Sequence, residues 1–280
     1  MKYAYFQGCS LESTAIEFHL STEQVCKKLD IELVDFDWCC CGASSAHMTD
    51  DLAAIALPAH NLGKAEELGL DMIIPCAACY NRQRVANAAM RQDEKLREKI
   101  NGITEVPYKG TVEAFALLEV LAQKVDEDKI KEAITKPLEG LKVVSYYGCQ
   151  FVRPPEVCGF DNHEDPQTMD KLVKLLGAEA VDWGFKVECC GASLALSRTD
   201  IAEKRCERIA KAARSVGANC IAVACPLCHA NMEQRPGEFG LPVFYITELM
   251  GLAFGIEQST LGINRHILDA RPLLREQSLI

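Results

Sequence analysis

Short apolar runs alternate with longer amphipathic segments along this chain of 280 residues, and the same succession occurs twice. The short runs have the length and composition of buried strands, whereas the longer segments carry apolar residues at helical spacing. Strands that alternate with helices predict parallel α/β units rather than an all-helical fold. The predicted strands are residues 3–6, 32–36, 72–74 and 106–108 in the first half, and 143–147, 180–183, 220–223 and 243–246 in the second.

Helices are predicted at matching places in the two halves. The main predicted helices cover residues 13–29 and 43–68 in the first half, and residues 166–176 and 192–216 in the second. A glycine follows each long helix, Gly69 in one half and Gly217 in the other, and gives it a stop signal. We therefore expect an α/β fold of two pseudo-symmetric domains, each a small, mainly parallel sheet flanked by helices.

The same pattern sets the expected domain boundaries. We expect a first domain over residues 1–125, a charged, helix-prone linker over 126–141 and a second domain over 142–258. The tail, residues 259–280, has no counterpart in the first half, and we expect it to be available for docking on a partner. The second domain also contains nine extra residues, in a loop between Arg153 and Pro166 that is rich in turn-forming residues.

Cysteines repeat with the same period as these elements. In each half a single cysteine is followed by a Cys-Cys-Gly sequence and then by Cys-x-x-Cys, with 34 residues between the pair and the last motif. Ten of the 15 cysteines fall into these two sets, which implies two equivalent metal sites. The first set is Cys9, Cys40, Cys41, Cys76 and Cys79, and the second is Cys149, Cys189, Cys190, Cys225 and Cys228.

Composition narrows the class of protein. The formal net charge of −10 argues against a nucleic-acid binder, which needs a basic face. No apolar stretch is long enough to span a bilayer, and the N-terminus has no signal-peptide pattern, so we expect a cytoplasmic protein without a transmembrane segment. In that compartment an odd number of cysteines with adjacent pairs favours metal chemistry over disulfides.

The position of the cysteines favours an iron–sulfur cluster over a single zinc ion. Each Cys-x-x-Cys lies where a buried strand ends and a helix begins, so backbone N–H groups and the helix dipole favour an anionic centre. Gly42 and Gly191 allow a sharp turn beside a bulky inorganic core. Each set has five thiols, one more than zinc takes, and the ferredoxin Cys-x₂-Cys-x₂-Cys-x₃-Cys-Pro run is absent. Structural zinc remains the alternative.

These residues resemble a known family. The duplicated Cys-Cys-Gly pattern, the opening Tyr-Phe-Gln-Gly-Cys-Ser and the Cys-Cys-Gly-Ala-Ser sequence are similar to the B-type subunits of heterodisulfide reductase, in particular their bacterial homologues. The resemblance implies a non-cubane [4Fe-4S] cluster held by all five cysteines of each set. It further implies that the two clusters face each other and cleave a disulfide by one-electron steps.

The resemblance also implies partners and an alternative role. Because the chain has no glycine fingerprint for flavin or nicotinamide, electrons are expected from a ferredoxin-like C-type subunit and a flavoprotein A-type subunit. The substrate is expected to be a small disulfide or thiol. The alternative is an electron-transfer subunit of a dehydrogenase complex, without a substrate site of its own.

Other residues carry weaker predictions. Cys39 precedes the first pair and is an alternative ligand, whereas Cys26, Cys206 and Cys220 are expected to be buried apolar side chains and Cys158 to be exposed in the loop. The candidate proton donors are His229 and His47, and the candidate anion-binding residue is Arg153, each with a structural role as its alternative. Asn81 and Asn231 follow the two Cys-x-x-Cys motifs and are candidates for hydrogen bonds near the cysteines.

Overall fold

The computed structural model describes residues 1–280 and contains two similar halves. Helices and strands alternate in the first half, as the hydrophobic pattern predicts, and the half ends in a π-helical segment, Val120–Lys124. Its elements are β1 (Lys2–Tyr5), α1 (Gly8–Leu11), α2 (Ile16–Lys28), β2 (Glu32–Val34), α3 (Ala43–Thr49), α4 (Asp51–Glu67), β3 (Met72–Ile74), α5 (Ala77–Gln92), α6 (Glu94–Asn101), β4 (Ala114–Ala116) and α7 (Leu117–Glu119).

The second half repeats this order after a short connecting helix, α8 (Glu127–Ala133). Short 3₁₀ turns occur at Ala192–Leu194, Gly237–Phe239 and Ile263–Arg265. The remaining elements are β5 (Lys142–Tyr146), α9 (Thr168–Leu175), β6 (Glu179–Ala180), α10 (Thr199–Ser215), β7 (Cys220–Val223), α11 (Pro226–Gln234), β8 (Val243–Tyr245), α12 (Ile246–Ala253), α13 (Gln258–Leu261) and α14 (Arg271–Glu276).

Each half contains one four-stranded parallel sheet. The strand orders are β2-β1-β3-β4 and β6-β5-β7-β8, so the two sheets have the same topology. The central strands pair in register, with Ala4 opposite Met72 in the first sheet and Val143 opposite Cys220 in the second. The predicted fold class, two parallel sheets flanked by helices, is confirmed.

One predicted strand lies elsewhere. The fourth strand of the first sheet is Ala114–Ala116, which pairs with β3, and not residues 106–108. Tyr108 is buried in a loop, where its hydroxyl donates a hydrogen bond to Asn87 Oδ1 at 2.7 Å. The apolar run around Tyr108 therefore fills the core without pairing in the sheet.

The long helix predicted after each cysteine pair is broken in both halves. In the first half Asp50 is extended, and its carboxylate accepts a hydrogen bond from the Ala53 N–H at 2.8 Å, which starts a new helix, α4. In the second half a 3₁₀ turn precedes the start of α10 at Thr199. The break matters for the site because it allows the segment after each Cys-Cys-Gly to turn independently of the long helix.

The apolar core is continuous from one half to the other. Helix α2 of the first half packs against α12 of the second, and Phe18 stacks on Tyr245 with ring centroids 4.0 Å apart. A buried hydrogen bond of 2.7 Å joins the hydroxyls of Ser21 and Thr247 across the same contact. The two sheets are therefore separate, but the two halves share one apolar core. The expected domain boundaries stay a prediction.

Two segments without a counterpart in the first half pack on their own chain. The tail lies against α2, where a Cβ on Gly262 would come within 2.7 Å of the Glu17 Cβ. Phe160, in the loop that contains the nine extra residues, and Phe151, just before that loop, pack around Tyr80 of the first half. No helix of the chain is both long and apolar enough to cross a membrane.

Candidate metal centre between the two halves

The strand order brings the cysteines together. Strands β1 and β3 are neighbours, and Cys9 and Cys76 follow their carboxyl ends. In the second sheet Cys149 and Cys225 follow the carboxyl ends of β5 and β7. Because neighbouring parallel strands end at the same edge of a sheet, each half places its single cysteine beside its Cys-x-x-Cys. Ligands collect at such an edge in open α/β sheets.

The thiols of the first set lie in contact with one another. The Cys41 Sγ lies 3.3 Å from the Cys79 Sγ. The Cys79 thiol also contacts that of Cys76, and the Cys9 thiol contacts that of Cys40. Five side chains distant in sequence therefore converge at one place.

The second set repeats each of these contacts. The Cys190 Sγ lies 3.7 Å from the Cys228 Sγ, which matches the pairing of Cys41 with Cys79. Cys149 contacts Cys189, and Cys225 contacts Cys228. The duplication seen in the sequence is thus a duplication of side-chain geometry.

The two sets also meet each other. The Cys76 thiol lies beside the Cys225 thiol across the boundary between the halves, and the backbone N–H of Ala77 also lies near Cys225. Six thiols therefore form a continuous row through the molecule, which we call the thiol row: Cys41, Cys79, Cys76, Cys225, Cys228 and Cys190.

Hydrogen bonds within the sets favour the thiolate at particular positions. The hydrogen bond between the Cys41 and Cys79 thiols lowers the pKa of Cys41 to about 7. Hydrogen bonds from Cys149 and from the Gly191 N–H, the latter at 3.3 Å, lower the pKa of Cys189 to about 6. The thiolate is the form that binds metal, so these neighbours favour the binding of metal ions by the two sets.

Glycines next to the single cysteines leave room at the thiols. Gly8 and Gly148 have φ values of +72° and +69°. A Cβ on Gly148 would lie 2.9 Å from the Cys228 Sγ, and one on Gly8 would lie 3.3 Å from the Cys79 Sγ. Sequence reasoning missed this pair, although a glycine precedes the single cysteine in both halves and that recurrence was the available signal.

Gly42 and Gly191 have the predicted turn but a different neighbour. Their φ values, +77° and +80°, lie in the left-handed region. A Cβ on Gly42 would lie 2.6 Å from the Cβ of Ala46, and one on Gly191 would lie 3.2 Å from the Cα of Ala202. These glycines therefore fit the turn against the following helical segments, and they do not make the space beside the thiols.

A cavity of about 100 Å³ lies among the thiols at the boundary of the halves. All five cysteines of the second set line it, together with Ser44, Ala77 and Ala78 of the first half. Its other polar lining includes Gln150 and Ser193. A space enclosed by five thiols fits a polynuclear centre better than one tetrahedral ion, which takes four ligands.

Cys39 is oriented differently from the cysteines of the first set. Its Sγ lies 3.7 Å from the carbonyl oxygens of Cys40 and Leu57. Its backbone N–H donates to Asn61 Oδ1 at 2.8 Å, while the Asn61 amide donates to its carbonyl. Cys41 faces Cys79 instead, so the geometry favours Cys40 and Cys41 as the functional pair.

The other four cysteines are buried. Cys26, Cys206 and Cys220 lie in α2, α10 and β7, as the sequence predicts, and burial raises the pKa of Cys26 to about 12. The prediction that Cys158 is exposed is wrong. Cys158 is covered because the loop around it packs on the first half, where its Sγ lies 3.5 Å from Asn81 Nδ2.

The two equivalent asparagines bind backbone carbonyls and not the sulfurs of the two cysteine sets. Asn231 Nδ2 donates to the Cys190 carbonyl at 3.1 Å and so fixes the Cys-Cys-Gly segment. Asn81 Nδ2 donates to the Arg153 carbonyl at 2.6 Å and to the Gln150 carbonyl at 3.3 Å. Carbonyl groups at the loop with the extra residues therefore accept the hydrogen bonds of Asn81, whereas the Cys190 carbonyl accepts that of Asn231.

The candidate proton donors and the candidate anion-binding residue lie away from the thiol row. His229 is buried in a polar cluster behind α11, where Nε2 lies 3.2 Å from the Val243 carbonyl, and burial lowers its pKa well below the usual range. His47 is exposed on α3. Arg153 is exposed, and its Nε donates to the His163 carbonyl at 3.2 Å. None of the three lines the cavity among the thiols.

Comparisons with known proteins agree with this architecture. The family described as "CCG: Cysteine-rich domain" matches residues 3–82 and 143–233, one match in each half. A solved structure of a hypothetical protein from Helicobacter pylori superposes with a TM-score of 0.74 at 12% identity, over 95% of this chain and 51% of that one. The chain thus spans about half of that protein and shares its fold.

Relatives are similar along almost their whole length. An 8-methylmenaquinol:fumarate reductase membrane anchor subunit of Wolinella succinogenes is 34% identical over 97% of this chain and 99% of its own. The B-type subunit of a ferredoxin/F(420)H(2)-dependent CoB-CoM heterodisulfide reductase of Methanosarcina acetivorans is 30% identical over 96% and 94%. A protein of Archaeoglobus profundus that is named for its likeness to the B-type subunit of heterodisulfide reductase is 28% identical over 92% of both chains. This chain therefore belongs to the family with duplicated cysteine-rich CCG domains that includes the B-type subunits of heterodisulfide reductase.

Proposed function

We propose that this chain is the iron–sulfur subunit of a reductase complex and carries two [4Fe-4S] clusters, one on each cysteine set. The observation that carries the proposal is the thiol row, because it joins two equivalent five-thiol sites through the contact of Cys76 with Cys225. Five thiols in each site also exceed the four that a cubane cluster takes, which favours a non-cubane type.

The proposed reaction is the reduction, or in reverse the formation, of a disulfide or related sulfur bond. Such clusters supply single electrons, and cleavage of one disulfide requires two electrons and two protons, so a pair of centres matches the need. The proposed substrate site lies at the boundary of the halves beside the centre of the second set, where Ser44, Gln150 and Ser193 offer hydrogen-bonding groups. The names of the heterodisulfide reductase relatives support this substrate class.

Electrons must enter from another protein. We propose a ferredoxin-like C-type subunit as the immediate donor and a flavoprotein A-type subunit behind it. Cys9 and Cys40 of the first set are exposed, whereas every cysteine of the second set is at least partly buried, so the first set is the accessible face for a donor.

A second function is electron transfer without a substrate site, in a complex that reduces another compound elsewhere. The Wolinella relative, at 34% identity, is named as a subunit of a fumarate reductase and favours this candidate. The same two centres would serve either function, because both need single electrons to pass along the chain.

Purification of the native complex without oxygen separates the two functions. The complex, supplied with reduced viologen, is assayed with small mixed disulfides and with fumarate, while its subunits are identified by mass spectrometry. Under the leading proposal disulfides are consumed, fumarate is not, and a flavoprotein and a ferredoxin-like subunit co-purify.

Metal analysis of the same sample supplies the control. About eight iron atoms and matching sulfide per chain are expected for two four-iron clusters. Turnover of fumarate alone would exclude the disulfide function while leaving the iron content unchanged. Tightly bound zinc at the cysteines in place of iron would overturn both candidate functions.

A further inference from the structure

A second group of potential ligands lies behind α11, on the side away from the thiols. His229 and Glu233 are one turn apart on that helix, Glu248 lies in the first turn of α12, and His266 comes from the tail. All four side chains are almost completely buried, and their exposed fractions range from 0% to 4%. One ligand atom each of His229, Glu248 and His266 lies within 4.8 Å of the others.

The two imidazoles are held by their outer nitrogens. His229 Nε2 lies 3.2 Å from the Val243 carbonyl, and a proton on this nitrogen leaves Nδ1 as an acceptor. His266 Nε2 lies 2.8 Å from the Glu248 carboxylate in the same manner. A histidine that binds metal typically donates its other N–H to a carbonyl or carboxylate, and that contact fixes its tautomer. Both rings therefore direct Nδ1 inward.

The inward atoms face one another without hydrogen bonds. His266 Nδ1 and Glu233 Oε1 are buried and have no hydrogen-bond partner, although they lie 3.6 Å apart. His229 Nδ1 lies 3.8 Å from Glu233 Oε2. These distances are too long for hydrogen bonds but close to the roughly 3.4 Å edge of a tetrahedron of ligands around zinc.

The charges in this group do not balance. Three carboxyl groups, those of Glu17, Glu233 and Glu248, surround one imidazole that can carry a positive charge, His266, and burial raises the pKa of Glu17 and of Glu233. Buried charges are costly unless they are paired or bind a metal. A divalent cation between the two imidazoles and Glu233 would restore the balance.

We propose that His229, Glu233 and His266 bind one Zn²⁺ ion, with Glu248 holding the far nitrogen of His266. Two imidazole nitrogens and both carboxylate oxygens of Glu233 offer four ligand atoms, the number that a closed, buried zinc site in a structural role requires. The ion would tie the tail to α11, the helix that begins at the second Cys-x-x-Cys. This site is separate from the cysteine sets and does not depend on what they bind.

Zinc content and zinc-edge X-ray absorption of the anaerobically purified complex test the proposal. The expected result is about one zinc per chain with only nitrogen and oxygen neighbours at roughly 2.0–2.1 Å. Glu233→Gln and His266→Gln are each expected to lower the zinc content by about tenfold or more, with the iron content unchanged. The matched control is His163→Gln, an exposed histidine in the loop with the extra residues, which should retain the zinc.

Three outcomes would overturn the site. One is protein without zinc, in which His266 is an imidazolium held between Glu233 and Glu248. The second is zinc with sulfur neighbours at about 2.3 Å, which would place the ion on the cysteines. The third is full zinc in both variants. If His266→Gln fails to fold, Glu233→Gln decides, because the glutamine oxygen can still accept the Ile267 N–H that Glu233 binds at 3.0 Å.

Discussion

The two cysteine sets share their side-chain contacts but differ in their access to water. In the first set Cys9 and Cys40 are exposed, whereas their equivalents in the second, Cys149 and Cys189, are half-buried. The second set also surrounds the cavity at the boundary of the halves. Solvent exposure and nearby hydrogen bonds tune the reduction potential of an iron–sulfur centre. Under the proposed function, equal ligands in unequal surroundings would give the two centres different potentials, and that difference would give electron flow through the chain a direction.

The largest expected effect is the loss of one centre at a time. Cys41→Ala and Cys190→Ala should each remove roughly half of the iron, because each breaks one five-thiol set. Cys76→Ala should disturb both centres, since Cys76 contacts Cys225 of the other set. Iron analysis and electron paramagnetic resonance of the purified variants would measure this.

The control for these variants is Cys26→Ala. Cys26 is buried in α2 outside both sets, so its removal should leave the iron content unchanged and cost about 1 kcal/mol of folding free energy. Retention of full iron in both Cys41→Ala and Cys190→Ala would contradict the ligand assignment.

The glycines beside the thiols test whether the second set is the tighter one. Gly148→Ala should destabilise the protein more than Gly8→Ala, because the new Cβ would lie 2.9 Å rather than 3.3 Å from a sulfur. The matched control is Gly217→Ala, where φ is +81° and no atom lies within 4 Å, so only the backbone cost of about 1–2 kcal/mol remains. Denaturant unfolding gives the free energy of unfolding of the three variants. Equal losses of this free energy would show that the thiols move away from the new Cβ at no cost.

Substitution of the two equivalent asparagines should have smaller effects, and these effects should differ between the halves. Asn231→Ala removes the hydrogen bond to the Cys190 carbonyl, so we expect a loss of about 1–2 kcal/mol and weaker iron retention in the second set. Asn81→Ala should instead increase hydrogen exchange in the loop with the extra residues and leave the iron unchanged. Iron loss from the first set in Asn81→Ala would refute this division.

The smallest effect concerns pH in iron-free protein. The pKa of Cys189 is lowered to about 6 by Cys149, so about nine-tenths of its thiol is ionised at pH 7 and its alkylation rate should rise little above that pH. Burial and Cys40 raise the pKa of Cys9, so its rate should still climb beyond pH 9. Mass spectrometry after timed alkylation compares the two cysteines. The expected order would be reversed if the alkylation rate of Cys9 reached its plateau at a lower pH than that of Cys189.

The repeated elements were predictable because their signals are local or duplicated. The constant spacing from the cysteine pair to Cys-x-x-Cys reflects one supersecondary unit used twice, and the structure gives both copies the same sheet order. The strand at Ala114–Ala116 was not predictable, because alanine has little preference for strands and pairing with β3 determines its place. Tertiary contacts likewise bury Cys158, which lies in a loop whose sequence predicts exposure to solvent.

The position of His229 away from the thiol row has a simple geometric cause. Its position next to Cys228 in the sequence suggested a role at the thiols. Successive residues on a helix point about 100° apart, so Cys228 faces the thiol row while His229 faces the cluster behind α11. Two residues on a helix share a face only when they are three or four positions apart, as His229 and Glu233 are.

The Cys76 and Cys225 thiols hold equivalent positions in the two halves and lie side by side, so a two-fold axis that related the halves would pass between them. A single chain with this arrangement is geometrically a homodimer whose two copies have been joined. In a true homodimer any change would appear on both sides of the axis. Here the nine extra residues occur once, and the tail packs on one side only. Because the two halves are covalently joined, a fold with two similar halves can carry different structural features on its two sides.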